Sequence, residues 1–135
     1  MSCDFGILSI NKRLTNEEAS DIYGALCEGD VSGVIPNAAI DAFYKELTAK
    51  HPEIDDVPEE EIDDTDLCPW SIAFDRSPGH LIISCVWPKS DYVYELVADL
   101  ARKHELALFS PQAEIIVYPD GSEGSGNKPW WKFWK

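Results

Sequence analysis

The chain has 135 residues, a length that suits one domain whose core needs no disulfides. At 44% hydrophobic and 11% aromatic it is too apolar to be disordered throughout. With 25 acidic against 11 basic side chains, a formal charge of −14, it is unsuited to binding nucleic-acid phosphates or an anionic membrane through its body.

In chain order, residues 5–10 read as a first strand. Thr15-Asn16-Glu17-Glu18 is a capping box, in which the Thr15 hydroxyl accepts from the Glu18 amide and Glu18 reaches back. Ala19, Ile22, Tyr23 and Leu26 follow at helical spacing, and Gly29 is a natural stop. Asn37 can cap a second helix whose inner face carries Ile40, Phe43, Tyr44 and Leu47, and which Pro52 ends.

Residues 53–66 hold nine of the 25 acids and no Lys or Arg, with Pro58 breaking any long helix. This is an acidic loop, and most of the charge imbalance is local to it. A hairpin follows. Residues 71–75 alternate, with Ile72 and Phe74 on one face, Ser77-Pro78-Gly79 makes the turn, and residues 81–87 form a central, nearly all-apolar strand closed by Pro88. Ser90 is placed to cap a third helix with Val93, Leu96, Val97, Leu100 and Ala101 inward and Arg102, Lys103 and His104 in its last turn. Residues 106–109 and 114–118 are two short strands.

The order predicts an α+β domain over residues 1–119. With the two early helices taken as one broken crossover, it is ferredoxin-like, β-α-β-β-α-β, with an extra short C-terminal strand. One antiparallel sheet would carry all the helices on one face, with Ile72, Phe74, Ile83, Leu96, Val97, Leu100 and Val117 in the core. Residues 120–127 have linker composition, and Trp130, Trp131, Phe133 and Trp134 alternate with lysines in a tail (residues 120–135 as a whole) suited to contacts of its own.

Cys3, Cys27, Cys68 and Cys85 have no C-x-x-C spacing and are expected to be reduced. No secretory signal or membrane-length apolar run is visible, so the cytoplasm is the expected compartment, with no stable membrane anchoring. G-x-S-x-G, H-E-x-x-H, Walker A and EF-hand patterns are absent. No catalytic residue, metal ligand or cofactor is therefore assigned. A cleft near Cys68 and His80 is the one enzymatic or ligand-binding alternative, because a hairpin can bring a thiol to an imidazole. The leading candidates for binding are Asp55, Asp56, Glu59, Glu60, Glu61, Asp63, Asp64 and Asp66, which would steer a basic protein partner, with Trp70 as an aromatic anchor. Against them stand a merely solvated loop and a Trp70 buried in the core.

The segments Cys3-Asp4-Phe5, Leu14-Thr15-Asn16-Glu17-Glu18-Ala19, Cys68-Pro69-Trp70-Ser71-Ile72, Leu100-Ala101-Arg102-Lys103-His104 and Leu108-Phe109-Ser110-Pro111-Gln112 resemble a group of short, uncharacterised bacterial cytoplasmic proteins. In size, acidity and layout the chain is also similar to bacterial immunity proteins that neutralise a cognate toxin. The group carries aspartate ahead of Pro-Gln where this chain has Ser110. The resemblance implies a non-enzymatic inhibitor of a basic toxin and supplies no catalytic residue.

Overall fold

The computed structural model describes residues 2–61, 64–65 and 67–124, apart from the side chains of Ser2 and Asp55. The elements run β1 Ser2–Leu8, α1 Asn16–Cys27, α2 Ala38–Lys50, β2 Asp75–Ser77, β3 His80–Val86, α3 Ser90–Lys103, β4 Ala107–Ser110 and β5 Ile115–Val117. One antiparallel sheet takes the order β2-β3-β1-β4-β5. An α+β domain with a single antiparallel sheet is therefore present, and the short terminal strand is its β5 edge.

Alternation along β1 and β3 decides where the helices go. Cys3, Phe5 and Ile7 stand opposite Cys85, Ile83 and Leu81. They pack with Ile40, Phe43 and Leu47 of α2 and Val93, Val97 and Leu100 of α3. The intervening Leu8 and Ile82 join Phe109 and Ile116 beneath Ala19 and Leu26 of α1. The expectation that all three helices share one face is thus corrected: α2 and α3 cover one face and α1 the other. The physical reason is that the second face also carries large apolar side chains, Leu8, Ile82, Phe109 and Ile116, which demand a cover of their own. It follows that α1 and α2 are not one broken crossover.

Local chemistry sets the helix ends. The Thr15 capping box forms, with Glu18 N donating to Thr15 Oγ1 at 3.0 Å and Thr15 N to Glu18 Oε1 at 2.9 Å. Gly29 takes φ +90° just beyond α1, a conformation that favours glycine. Asn37 caps α2 by accepting from Ala39 N at 2.9 Å. Ser90 does not cap α3. A single 3-10 turn, Trp87–Lys89, runs directly into the helix, and Ser90 already has helical angles.

The strand expected over residues 71–75 is the main local departure. Trp70 bridges Cys85, and Ser71 N donates to Ser84 O at 2.9 Å, but the ladder then stops and β2 begins only at Asp75. Phe74 N instead donates to the carboxylate of Glu53 at 3.0 Å. Ile72, expected in the core, is 60% exposed, and Phe74, Leu96 and Val117 are half-buried, whereas Ile83, Val97 and Leu100 are buried. At the other end, residues 120–124 turn back along β5. Tyr118 N donates to Ser122 O and Gly124 N to Ile116 O, both at 2.8 Å, so the packed chain reaches Gly124. The remaining linker and tail positions, Trp130, Trp131, Phe133 and Trp134 among them, lie outside the described residues.

Candidate functional site

The acidic segment leaves α2 at His51 and rejoins the sheet at Trp70. Its two ends are tied together from below. The His51 ring is 6% exposed and lies 2.9 Å from Leu67 O through Nδ1 and 2.8 Å from Tyr92 Oη through Nε2. A carbonyl only accepts, so Nδ1 donates to Leu67 O, and Nε2 pairs with the Tyr92 hydroxyl. The His51 carbonyl in turn accepts from Trp70 Nε1 at 3.0 Å. One residue therefore joins the end of α2, the far end of the segment and the start of α3.

Trp70 is 2% exposed and meets Phe74 edge-on, with ring centroids 4.9 Å apart. Its expected role as a surface anchor is corrected by that burial: it is a core side chain. Glu53 completes the base. It accepts from Phe74 N and from the Tyr44 hydroxyl, whose pKa is pushed up to about 12, chiefly by that hydrogen bond to a carboxylate. The Arg76 guanidinium lies 3.8 Å above the Tyr44 ring.

Above this base the chain makes two single 3-10 turns, Ile54–Asp56 and Glu59–Glu61, with Val57 buried between them. Asp56, Glu59, Glu60, Glu61 and Asp64 are exposed. The side chain of Asp55, and Asp63 and Asp66 entirely, lie outside the described residues. Among the described residues Asp56, Glu59, Glu60 and Glu61 have no ion pair. Two exposed aromatics adjoin the segment, Tyr92 at 41% through His51 and Trp87 at 49% just beyond the Val86 N to Pro69 O bond of 2.8 Å.

Sequence reasoning passed over His51, Glu53, Tyr92 and Trp87. Trp87, expected as the last residue of the buried strand closed by Pro88, instead opens the 3-10 turn one residue after β3 ends at Val86. Glu53 differs from the other acids in adjoining the helix end rather than the run, but its hydrogen bond to Phe74 spans 21 residues and leaves no local trace.

The alternative cleft does not form as expected. Cys68 is buried with Trp70 beneath α2 and α3, while strand alternation turns His80, with Ile82, to the α1 side. The two side chains are not brought together. His80 meets Ser77 instead, Oγ to Nδ1 at 2.6 Å, with Asp75 Oδ2 3.6 Å from Nε2. That resembles a nucleophile, base and acid in line. However, Ser77 and His80 are opposite partners across the two-residue Pro78-Gly79 turn, His80 is 2% exposed, and 3.6 Å is beyond a hydrogen bond. Gly79 N also donates to Ser77 Oγ at 3.2 Å. The arrangement staples the hairpin.

The surface carries two sizeable hollows. One, of about 490 Å³, lies where Asn37 and Asp41 of the α2 start meet Arg76 and Ser77. The other, of about 400 Å³, lies between α3 and the β4–β5 edge. Neither adjoins the acidic turns. All four cysteines are free thiols. Cys3, Cys68 and Cys85 are buried, which pushes their pKa values up, that of Cys85 to about 12, and Cys27 is exposed. Among the described residues no three His, Cys, Asp or Glu side chains are grouped to hold a metal ion, and no helix is long and apolar enough to cross a membrane. No family model, no curated protein and no solved structure matches the chain.

Proposed function

We propose that this chain is a non-enzymatic protein-binding module for a basic partner, acting in the cytoplasm in the manner of an immunity protein that neutralises a toxin. One observation carries the reading: Asp56, Glu59, Glu60 and Glu61 are exposed and unpaired among the described residues, on a base fixed by His51, Glu53 and Trp70. A fixed backbone lets several like charges act together, so a basic surface is drawn in before contact and meets little ordering cost on arrival. Tyr92 and Trp87, not Trp70, then supply the aromatic contact. Inhibition is steric, because a module seated on a basic active-site surface excludes the substrate.

The frame is best read as ferredoxin-like with two additions. Without β5 the strands run β2-β3-β1-β4, and α2 and α3 share one face; α1 on the far face and β5 at the edge are the additions.

The test is affinity capture from the native host, using the full chain and the same chain with Glu59, Glu60 and Glu61 changed to Gln. The reading expects a basic protein retained by the wild-type chain, released by salt and depleted on the variant. Equal retention on both would contradict it.

A further inference from the structure

The hollow between α3 and the β4–β5 edge belongs to neither the acidic surface nor the hairpin. Its floor is apolar, made by the buried Leu106 and Leu108, and its walls are Ala98 and Tyr94 of α3 and Val117 of β5. It exists because α3 packs over β1, β3 and β4, leaving the α3-side surface of β5 uncovered. Glu95 and Asp99 sit on its helix rim. Asp99 is paired with Arg102 at 3.3 Å, while Glu95 has no ion pair among the described residues.

We propose that this groove is the docking site for the chain's own C-terminal segment, Lys128-Pro129-Trp130-Trp131-Lys132-Phe133-Trp134-Lys135. Three observations support that occupant over others. The first is position. Glu123 bridges Val117, so the chain leaves the described residues one strand spacing, about 4.8 Å, from a residue that lines the groove. The second is reach. Trp130 is six chain steps beyond Gly124, a span of up to about 20 Å when extended, so the first indole can reach the groove. The third is chemistry. The segment alternates aromatic rings with lysines, and the groove sets Leu106, Leu108, Ala98 and Val117 beside Glu95, while Asp99 and Arg102 on the same rim offset each other.

Tethering makes even weak docking effective. A short linker gives an effective concentration on the order of 1 mM, so a groove that holds the free segment at only about 0.1 mM is about nine-tenths filled in cis. A tenfold loss of intrinsic affinity lowers that to about half. This inference does not depend on the acidic segment and stands or falls separately from it.

The experiment uses the full chain labelled with 5-fluorotryptophan, whose five fluorine signals are assigned by single Trp→Phe changes. The proposal expects at least one of Trp130, Trp131 and Trp134 to be displaced from the free-indole position. The displacement should be independent of protein concentration over a roughly tenfold range, as befits a contact in cis. In the chain carrying Glu95→Lys and Ala98→Arg the same signal should move toward the free position while that of buried Trp70 stays put. Glu95→Lys alone, on the exposed side of α3, repeats the test if the double variant disturbs the Trp70 signal. The proposal is overturned if all three tail signals sit at the free position in the wild-type chain, or if displaced signals ignore both variants. It is equally overturned if displacement appears only at high protein concentration, indicating a second copy, or only on adding anionic phospholipid vesicles.

Discussion

Two groups of acids in this chain differ in their partners. On the body, Asp41 pairs with Lys45 at 2.9 Å, Glu46 takes Lys103 at 2.8 Å and His104 at 3.0 Å, Asp99 takes Arg102, and Glu18 closes the α1 capping box. Those bonds from Lys103 and His104 hold the Glu46 carboxyl below its ordinary pKa. In the acidic segment, Asp56 and Glu59 to Glu61 have no such partner among the described residues, and the backbone is held by other groups: His51, Glu53 and Trp70. The difference teaches that, apart from Glu53 and the Asp64 carboxylate that accepts from Leu67 N at 3.3 Å, the segment's charge contributes little to its own shape. Folding and charge have been separated, so the acids can be changed without touching the fold, and the base can be broken without touching the acids.

Breaking the base should have the largest effect. Trp70→Ala removes a buried indole and its hydrogen bond to the His51 carbonyl, and should cost about 3–5 kcal/mol in denaturant unfolding. A loss below about 1 kcal/mol would return Trp70 to the surface.

Tyr44→Phe sharpens the comparison at a single bond. It removes the hydroxyl donated to Glu53 and should cost about 1–2 kcal/mol at neutral pH. The folded state holds the Tyr44 proton more tightly than the unfolded chain does. That contribution is therefore whole below pH 10.0 and is lost as pH rises through about 12. The alkaline loss of stability should be shallower in Tyr44→Phe than in the wild-type chain, and identical slopes would count against the Glu53 contact.

Thiol labelling compares the surface with the interior. At neutral pH a disulfide reagent should react quickly with Cys27 alone, and with Cys3, Cys68 and Cys85 only at the rate of unfolding. Two or more fast thiols would show that the core over β1 and β3 is open. The smallest effect belongs to the acids. Changing Glu59, Glu60 and Glu61 together to Gln should shift unfolding by no more than about 0.5 kcal/mol, toward greater stability if at all, since only mutual repulsion is removed.

How much of this was legible follows from where the chemistry lies in the chain. The Thr15 capping box, the Asn37 cap and the Pro78-Gly79 turn are local, and the residues that make them are neighbours in sequence. The placement of α1 was not legible, because Phe5 and Ile7 on one side of β1 and Leu8 on the other offer both faces to any amphipathic helix. The broken strand before β2 was hidden for the same kind of reason. An alternating pattern reads as a ladder unless a carboxylate from elsewhere takes one of its amides, as Glu53 does with Phe74. In the candidate site the acidic run was plain from composition, and Asp56, Glu59, Glu60 and Glu61 are exposed. The buried imidazole that organises it looked like an ordinary residue before a proline.

The central claim is that the free acids draw in a basic partner while taking no part in the fold. The most direct measurement is the association rate of the recovered partner with the wild-type chain and with the Glu59, Glu60 and Glu61 to Gln variant, at low and high ionic strength. The account predicts a slower on-rate for the variant at low salt, a difference that closes as salt screens the field, and nearly equal off-rates. Equal on-rates at low salt would contradict it and leave the acids as solvated surface.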